Sequence, residues 1–172
     1  TCGVLLATGH TERFNPAVIA ALPMVSSPRF IEIHRLGTFP ERSLDIDVIF
    51  DLMIHDLDVI VYLLGEEVVQ IEARSPIGPF GEVGDFASAM LTFSSGKLAC
   101  VTASRVTQNH VRELQVTTEK RLLALDYSSQ ELLICRQGHL AALDGQTIGG
   151  DFVLDLRTER VVIQRQEPLV RE

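Results

Sequence analysis

The chain has 172 residues, long enough to bury one well-formed core, so a single domain is the expectation. Hydrophobic residues make up 46% and charged residues 22%, a balance that excludes an intrinsically disordered chain. A formal net charge of −8, without a local cluster of Lys or Arg, argues against nucleic acid or an anionic membrane as the main partner.

In chain order, Gly3–Thr8 is an apolar run that reads as a strand buried on both faces, and Gly9–Pro16 is a polar turn. Asn15 suits an N-cap and Pro16 a first helical position, with Ala17–Leu22 as a short helix. Arg29–Leu36 alternates apolar and polar residues, the pattern of a strand with one wet face. Thr38–Leu44 is a loop, and a long helix is expected over Asp45–Leu64, stopped by Gly65. Strand signals then dominate: Val68–Ala73, then Phe86–Phe93 and Lys97–Val106 around a Ser94-Ser95-Gly96 hairpin, then Leu114–Thr118, Arg121–Tyr127 and Glu131–Arg136. Shorter strands at Val153–Leu156 and Arg160–Arg165 follow, with Gly78–Gly84 and Gly138–Gly150 as loops. A run of strands after one long helix predicts an α+β fold: an open, mainly antiparallel β-sheet with helices on one face, spanning residues 1–172. The other face is left to water or to another subunit, with Leu91, Phe93, Val101 and Ala103 available for either.

Cys2, Cys100 and Cys135 are odd in number, widely spaced and set among apolar neighbours, which reads as buried free thiols in a reducing compartment. Nothing approaches the roughly 18 consecutive apolar residues of a membrane span, and no signal peptide is visible; the cytoplasm is the expected location.

One segment carries chemistry. Asp47, Asp51, His55 and Asp58 recur at intervals of four, four and three in an otherwise apolar run, so they share one stripe of a helix. Ionisable groups on so apolar a helix are costly unless they pair or work. An imidazole with a carboxylate one turn earlier is the arrangement of a general acid/base, His55, oriented by Asp51. A structural Asp/His pair tying the helix to a neighbouring loop is the plainer reading, and Asp51, His55 and Asp58 as ligands of a divalent ion is a third. Asp47 and Asp58 read as structural, Asp58 pairing with an Arg or capping a backbone group. Only Lys97 and Lys120 are lysines among 15 basic residues, and arginine forks suit carboxylates or phosphates. Arg13, Asn15 and Arg35 are therefore candidates for gripping an anionic substrate, against ion pairs with Glu12, Glu32 or Glu41; Arg105, at a strand end, is either a substrate contact or a salt bridge. His10, His34, His110 and His139 read as turn, sheet or exposed residues.

Three segments, Gly9-His-Thr-Glu-Arg-Phe-Asn-Pro16, Asp51-Leu-Met-Ile-His55-Asp-Leu-Asp58, and Phe93-Ser-Ser-Gly96 with Ala103-Ser-Arg105, resemble the second domain of the Gfo/Idh/MocA oxidoreductases. The Asp-x-x-x-His-Asp-x-x-Asp element is the most specific part, and Arg13, Phe14 and Asn15 are similar to the branch acting on UDP-linked amino sugars. The resemblance implies an NAD(P)-dependent dehydrogenase of a sugar or nucleotide-sugar, with Asp51 and His55 catalytic and a homodimer or homotetramer formed through the sheet. NAD or NADP would be bound mainly by an N-terminal Rossmann domain. No GxGxxG is present, and neither lysine matches the family's catalytic lysine, so the chain reads as a segment cut from a longer polypeptide, inactive alone and without cofactor-binding residues. The competing reading is a non-catalytic sheet module for oligomerisation or scaffolding.

Overall fold

A computed structural model describes residues 3, 8–39, 46–76, 84–139 and 154–171. Most of the strand expected at Gly3–Thr8, of the loops expected at Gly78–Gly84 and Gly138–Gly150, and of Thr38–Leu44 lies outside them, as does Cys2; Gly138 and His139, expected to open a loop, instead continue a strand.

The described strands are β1 (Pro28–Leu36), β2 (Val68–Arg74), β3 (Phe86–Phe93), β4 (Leu98–Ser104), β5 (Val111–Thr118), β6 (Arg121–Asp126), β7 (Glu131–His139) and β8 (Leu154–Val161). They form one sheet in the order β2-β3-β4-β1-β5-β6-β7-β8. Only β1 and β4 run parallel; every other neighbouring pair is antiparallel. The fold is the expected α+β sheet with helices on one face. The two short strands expected at the end are instead the single strand β8, which follows β7 along its whole length.

Strand alternation decides the faces. In β1, Ile31, Ile33 and Arg35 point inward, while Phe30, Glu32, His34 and Leu36 are half-buried on the outer side. Leu91, Phe93, Val101 and Ala103 share the inner face and are buried there, so they belong to the core and are not available to a partner. Two helices cover this face: α1 (Pro16–Ala21) and α2 (Ile54–Leu64). Ala17, Val18 and Ala21 of α1 and Val59, Ile60 and Leu63 of α2 join the sheet's aliphatic residues in one core. Each large side chain so buried contributes about 1.5–3 kcal/mol. Cys100 and Cys135 fall on the outer parity and are half-buried free thiols, a correction to the expected full burial.

Asn15 caps α1 as expected: its Oδ1 accepts from the Ala17 N–H at 3.0 Å, with Pro16 in the first turn. Gly65 ends α2 at φ 61°, a left-handed C-terminal position that favours glycine, and its N–H donates to Val61 O at 2.8 Å. The start of the long helix differs from expectation. Asp47 Oδ1 accepts from the N–H groups of Ile49 and Phe50, both at 3.0 Å, and a π-helical turn over Ile49–Met53 precedes the regular helix. Such a turn inserts a residue into the α-helical period and is common where side chains must be re-aimed. Among the described residues no helix is long and apolar enough to cross a membrane.

Candidate functional site

The π-helical turn and the first turns of α2 present four ionisable side chains, and each goes to a different place. Asp56, adjacent to the candidate histidine, shares the inward stripe of Val59, Ile60 and Leu63 and is completely buried. Arg35 meets it from β1 in a fork: Nε donates to Oδ2 at 2.7 Å and Nη2 to Oδ1 at 2.8 Å. The same Nη2 donates to Glu12 Oε1 at 3.2 Å, and the guanidinium lies 5.4 Å from the centre of the Tyr127 ring. Burial alone would lower the Arg35 pKa; the hydrogen bonds and charge of Asp56, with the charge of Glu12, outweigh it and raise it. Burial pushes the Asp56 pKa up against the lowering from Arg35, and the two-bond fork ties helix to sheet.

Asp58 is gripped by Arg13, whose Nε and Nη2 donate to its two carboxylate oxygens at 2.5 Å each. The hydrogen bond to Asp58 comes first among the causes that raise the Arg13 pKa. Arg13 also lies over the Tyr62 ring, 5.1 Å from its centre. This fork ties the 3-10 turn Thr11–Phe14 to α2, and it brings His10 with it. His10 Nε2 is 3.9 Å from Asp58 Oδ1, and the His10 ring stands edge-on to His55, centroids 6.5 Å apart at 80°. His55 is half-buried, its Nδ1 buried and without a hydrogen-bond partner.

Asp51 turns the other way. Its Oδ2 is 3.7 Å from Arg105 Nη1, while Arg105, nearly sealed, donates from Nε to Asp85 Oδ1 at 2.7 Å and lies 5.8 Å from the Phe39 ring centre. No hydrogen bond joins Asp51 to His55 among the described residues; the carboxylate one turn earlier serves Arg105 instead of the imidazole. Asp51 and Arg105 line a cleft of about 350 Å³ at the ends of β1 and β4 and the start of β5, with Arg35, Thr38, His110 and Arg112. His110 Nε2 lies 3.4 Å from Thr38 Oγ1.

The sequence-derived residues therefore separate. His55 and Asp51 sit on one helix, facing a histidine cluster and an arginine-lined cleft respectively. Asn15 is 2% exposed and spent on the α1 cap and on donating to Tyr127 O at 3.1 Å. Arg35 and Arg105 are committed to buried carboxylates, whereas Arg13 keeps 40% of its side chain exposed beyond the Asp58 fork. Reading the sequence did not single out Asp56, Asp85, Arg112 or Tyr127, whereas Glu12, named there as an ion-pair partner, does meet Arg35. For Asp56 the signal was present: it stands three, four and seven residues before Val59, Ile60 and Leu63, on the apolar face.

Among the described residues no group of three or more His, Cys, Asp and Glu side chains could hold a metal ion. Nor do they offer a dinucleotide cradle: the only parallel pairing is β1 with β4, and no strand runs through a glycine-rich turn into a helix.

Comparison with known proteins supplies the family. Residues 29–124 match the GFO/IDH/MocA C-terminal domain. The chain belongs to that family. The UDP-N-acetylglucosamine 3-dehydrogenase of Acidithiobacillus ferrooxidans is 34% identical over 170 residues, which is 98% of this chain and 51% of that protein. A solved structure of that enzyme superimposes with a TM-score of 0.82 at 32% identity, covering 98% of this chain and 50% of that one. Inositol 2-dehydrogenase of Rhizobium meliloti is 28% identical over 136 residues, covering 70% of this chain and 41% of its own length. Levoglucosan dehydrogenase in complex with NADH and L-sorbose, 17% identical with a TM-score of 0.65 over 92% of this chain and 47% of that one, shares the fold. The chain thus spans about half the length of the first of these relatives and less of the second.

Proposed function

We propose that this chain is the substrate-binding and catalytic half of an NAD(P)-dependent dehydrogenase acting on a sugar or nucleotide-sugar, with His55 as its acid/base. The observation that carries the reading is the half-buried His55 ring on a helix fixed from below by the buried Arg35–Asp56 fork and from the side by Arg13–Asp58. Oxidising a secondary alcohol needs a group to take the hydroxyl proton, and imidazole works near neutral pH. With Nδ1 buried and unpartnered, that exchange falls to Nε2. A nicotinamide held by a further domain would accept or return the hydride. Likeness to the UDP-N-acetylglucosamine 3-dehydrogenase supports a nucleotide-sugar substrate.

Within this reading the arginines divide by reach. Arg112 presents positive charge to an anionic part of the substrate in the cleft beside Asp51, with Arg105 and the His110 ring in its wall. Arg13 touches substrate from its exposed side, while Asn15 and Arg35 hold the walls. The outer sheet face, where Met90 is 43% and Leu98 36% exposed, supports assembly into a homodimer or homotetramer. That face also favours the second reading, a sheet module whose main work is assembly; the two are compatible. Half-buried free thiols at Cys100 and Cys135 support a cytoplasmic location.

The test is a screen of the complete protein against UDP-sugars, free sugars and inositols, followed by nicotinamide absorbance. The His55→Asn variant should lose roughly two to four orders of magnitude in turnover. A complete protein inactive on all three classes, yet assembled through its sheet, leaves the module reading in possession.

A further inference from the structure

Far from the histidines, folding gathers a positive cluster that the linear sequence disperses. Arg121 on β6 stands directly opposite Arg136 on β7, and Arg136 directly opposite Arg157 on β8. Three arginines thus form one cross-strand row, on the same parity as the buried Leu123 and Ile134 but past the cover of α1. Like charges directly opposite one another destabilise an antiparallel pair. In a chain of net charge −8 such a row is unexpected unless something negative answers it.

Among the described residues, carboxylates are found beside Arg136 and at the rim, and not beside Arg121. Arg136 Nη2 is 3.3 Å from Glu159, both half-exposed, and Glu119 is 3.9 Å from Arg29. Arg157 is engaged in the fold. Lys120 and Arg121 have no side-chain hydrogen bond or ion pair among the described residues. Both line a cleft of about 440 Å³, with Arg136, Ser26, Ser27 and Glu119 around them. Ser27 is held at φ 48°, a left-handed conformation that non-glycine residues rarely adopt.

We propose that this cleft is a second binding site, for a small molecule bearing a diphosphate or phosphomonoester group. Neighbouring strands are about 4.8 Å apart, so guanidiniums on β6 and β7 can grip one diphosphate together while Lys120 and the serine hydroxyls supply further donors. The site lies at the Pro28 end of β1, and the Asp51 cleft lies at the Leu36 end; the nine residues of β1 separate them by about 26 Å. The inference is independent of what His55 does.

Thermal melts of the full chain in inorganic pyrophosphate are the test, at constant ionic strength so that general screening is held fixed. Millimolar pyrophosphate should raise Tm by at least about 2 °C. Arg121→Gln should melt no lower than the parent without ligand, because a like-charge contact is relieved, and should weaken the pyrophosphate midpoint at least about tenfold. Arg112→Gln, in the other cleft, should keep the full response. Absence of a shift at 10-fold lower ionic strength overturns the proposal. So does a shift that survives Arg121→Gln together with Arg136→Gln, or one that Arg112→Gln abolishes. Inorganic phosphate alone matching pyrophosphate would assign the cleft to a monoester; a response to pyrophosphate only would assign it to a diphosphate.

Discussion

The two ends of β1 treat arginine in opposite ways. At the Leu36 end every buried guanidinium has its carboxylate: Arg35 has Asp56 and Glu12, and Arg105 has Asp85 with Asp51 at its edge. At the Pro28 end, Arg121 and Arg136 face each other, and the described carboxylates beside them stand at the rim. Matched charges immobilise side chains, so the first end reads as a scaffold built to hold α2 at a fixed angle. Unmatched charges at the surface leave donors for something outside the chain. Net charge hides this division, because it averages over both ends.

The largest expected effect breaks the matched end. Removing one partner of a buried fork strands the other charge, so Asp56→Ala should cost about 3–5 kcal/mol in urea unfolding. Replacing both, Arg35→Met with Asp56→Leu, should recover much of that loss if the pair serves placement more than stability. Recovered stability with activity still absent would sharpen the contrast; recovery of both would remove Arg35 from the site's architecture. Next in size is the Arg13–Asp58 fork, which is partly exposed. Arg13→Ala should cost only about 1 kcal/mol in stability, screened further by salt, while lowering turnover more than its stability loss explains. A double-mutant cycle with Asp58→Asn separates the two contributions.

Tyr127 gives the smallest effect and a pH signature. Its hydroxyl is buried without a partner, and burial, followed by the nearby Asp56 charge, holds its pKa well above the ordinary value. A group whose folded pKa is raised contributes stability below its unfolded pKa of about 10 and loses it as pH climbs through the folded value. Tyr127→Phe should therefore be within about 0.5 kcal/mol of the parent at neutral pH, since no hydrogen bond is lost, and should resist alkaline unfolding better. A Tyr127→Phe variant with an unchanged alkaline limb would show that another group sets it.

Much of the fold was legible because local pattern and final burial agree. The alternation of Arg29–Leu36, the Ser94–Gly96 hairpin, the Asn15 cap and the Gly65 stop all reappear. Strand order was not legible: β1 lies between β4 and β5, so its neighbours come from far along the chain, and no local signal carries that. Regular helical spacing also concealed the π-helical turn over Ile49–Met53, which local periodicity does not signal. The stripe of acids proved less uniform than its period, for Asp47 caps, Asp51 meets Arg105 and Asp58 meets Arg13. Among the described residues His55 has no hydrogen-bonded carboxylate, and the ring that stands edge-on to it, His10, belongs to a segment whose sequence reads as a polar turn.

The most direct test of His55 as the acid/base is kcat/KM of the complete protein and its His55→Asn variant on the same substrate. The account expects the variant to lose roughly two to four orders of magnitude with its thermal stability unchanged. A variant that keeps the parent's kcat/KM would contradict it.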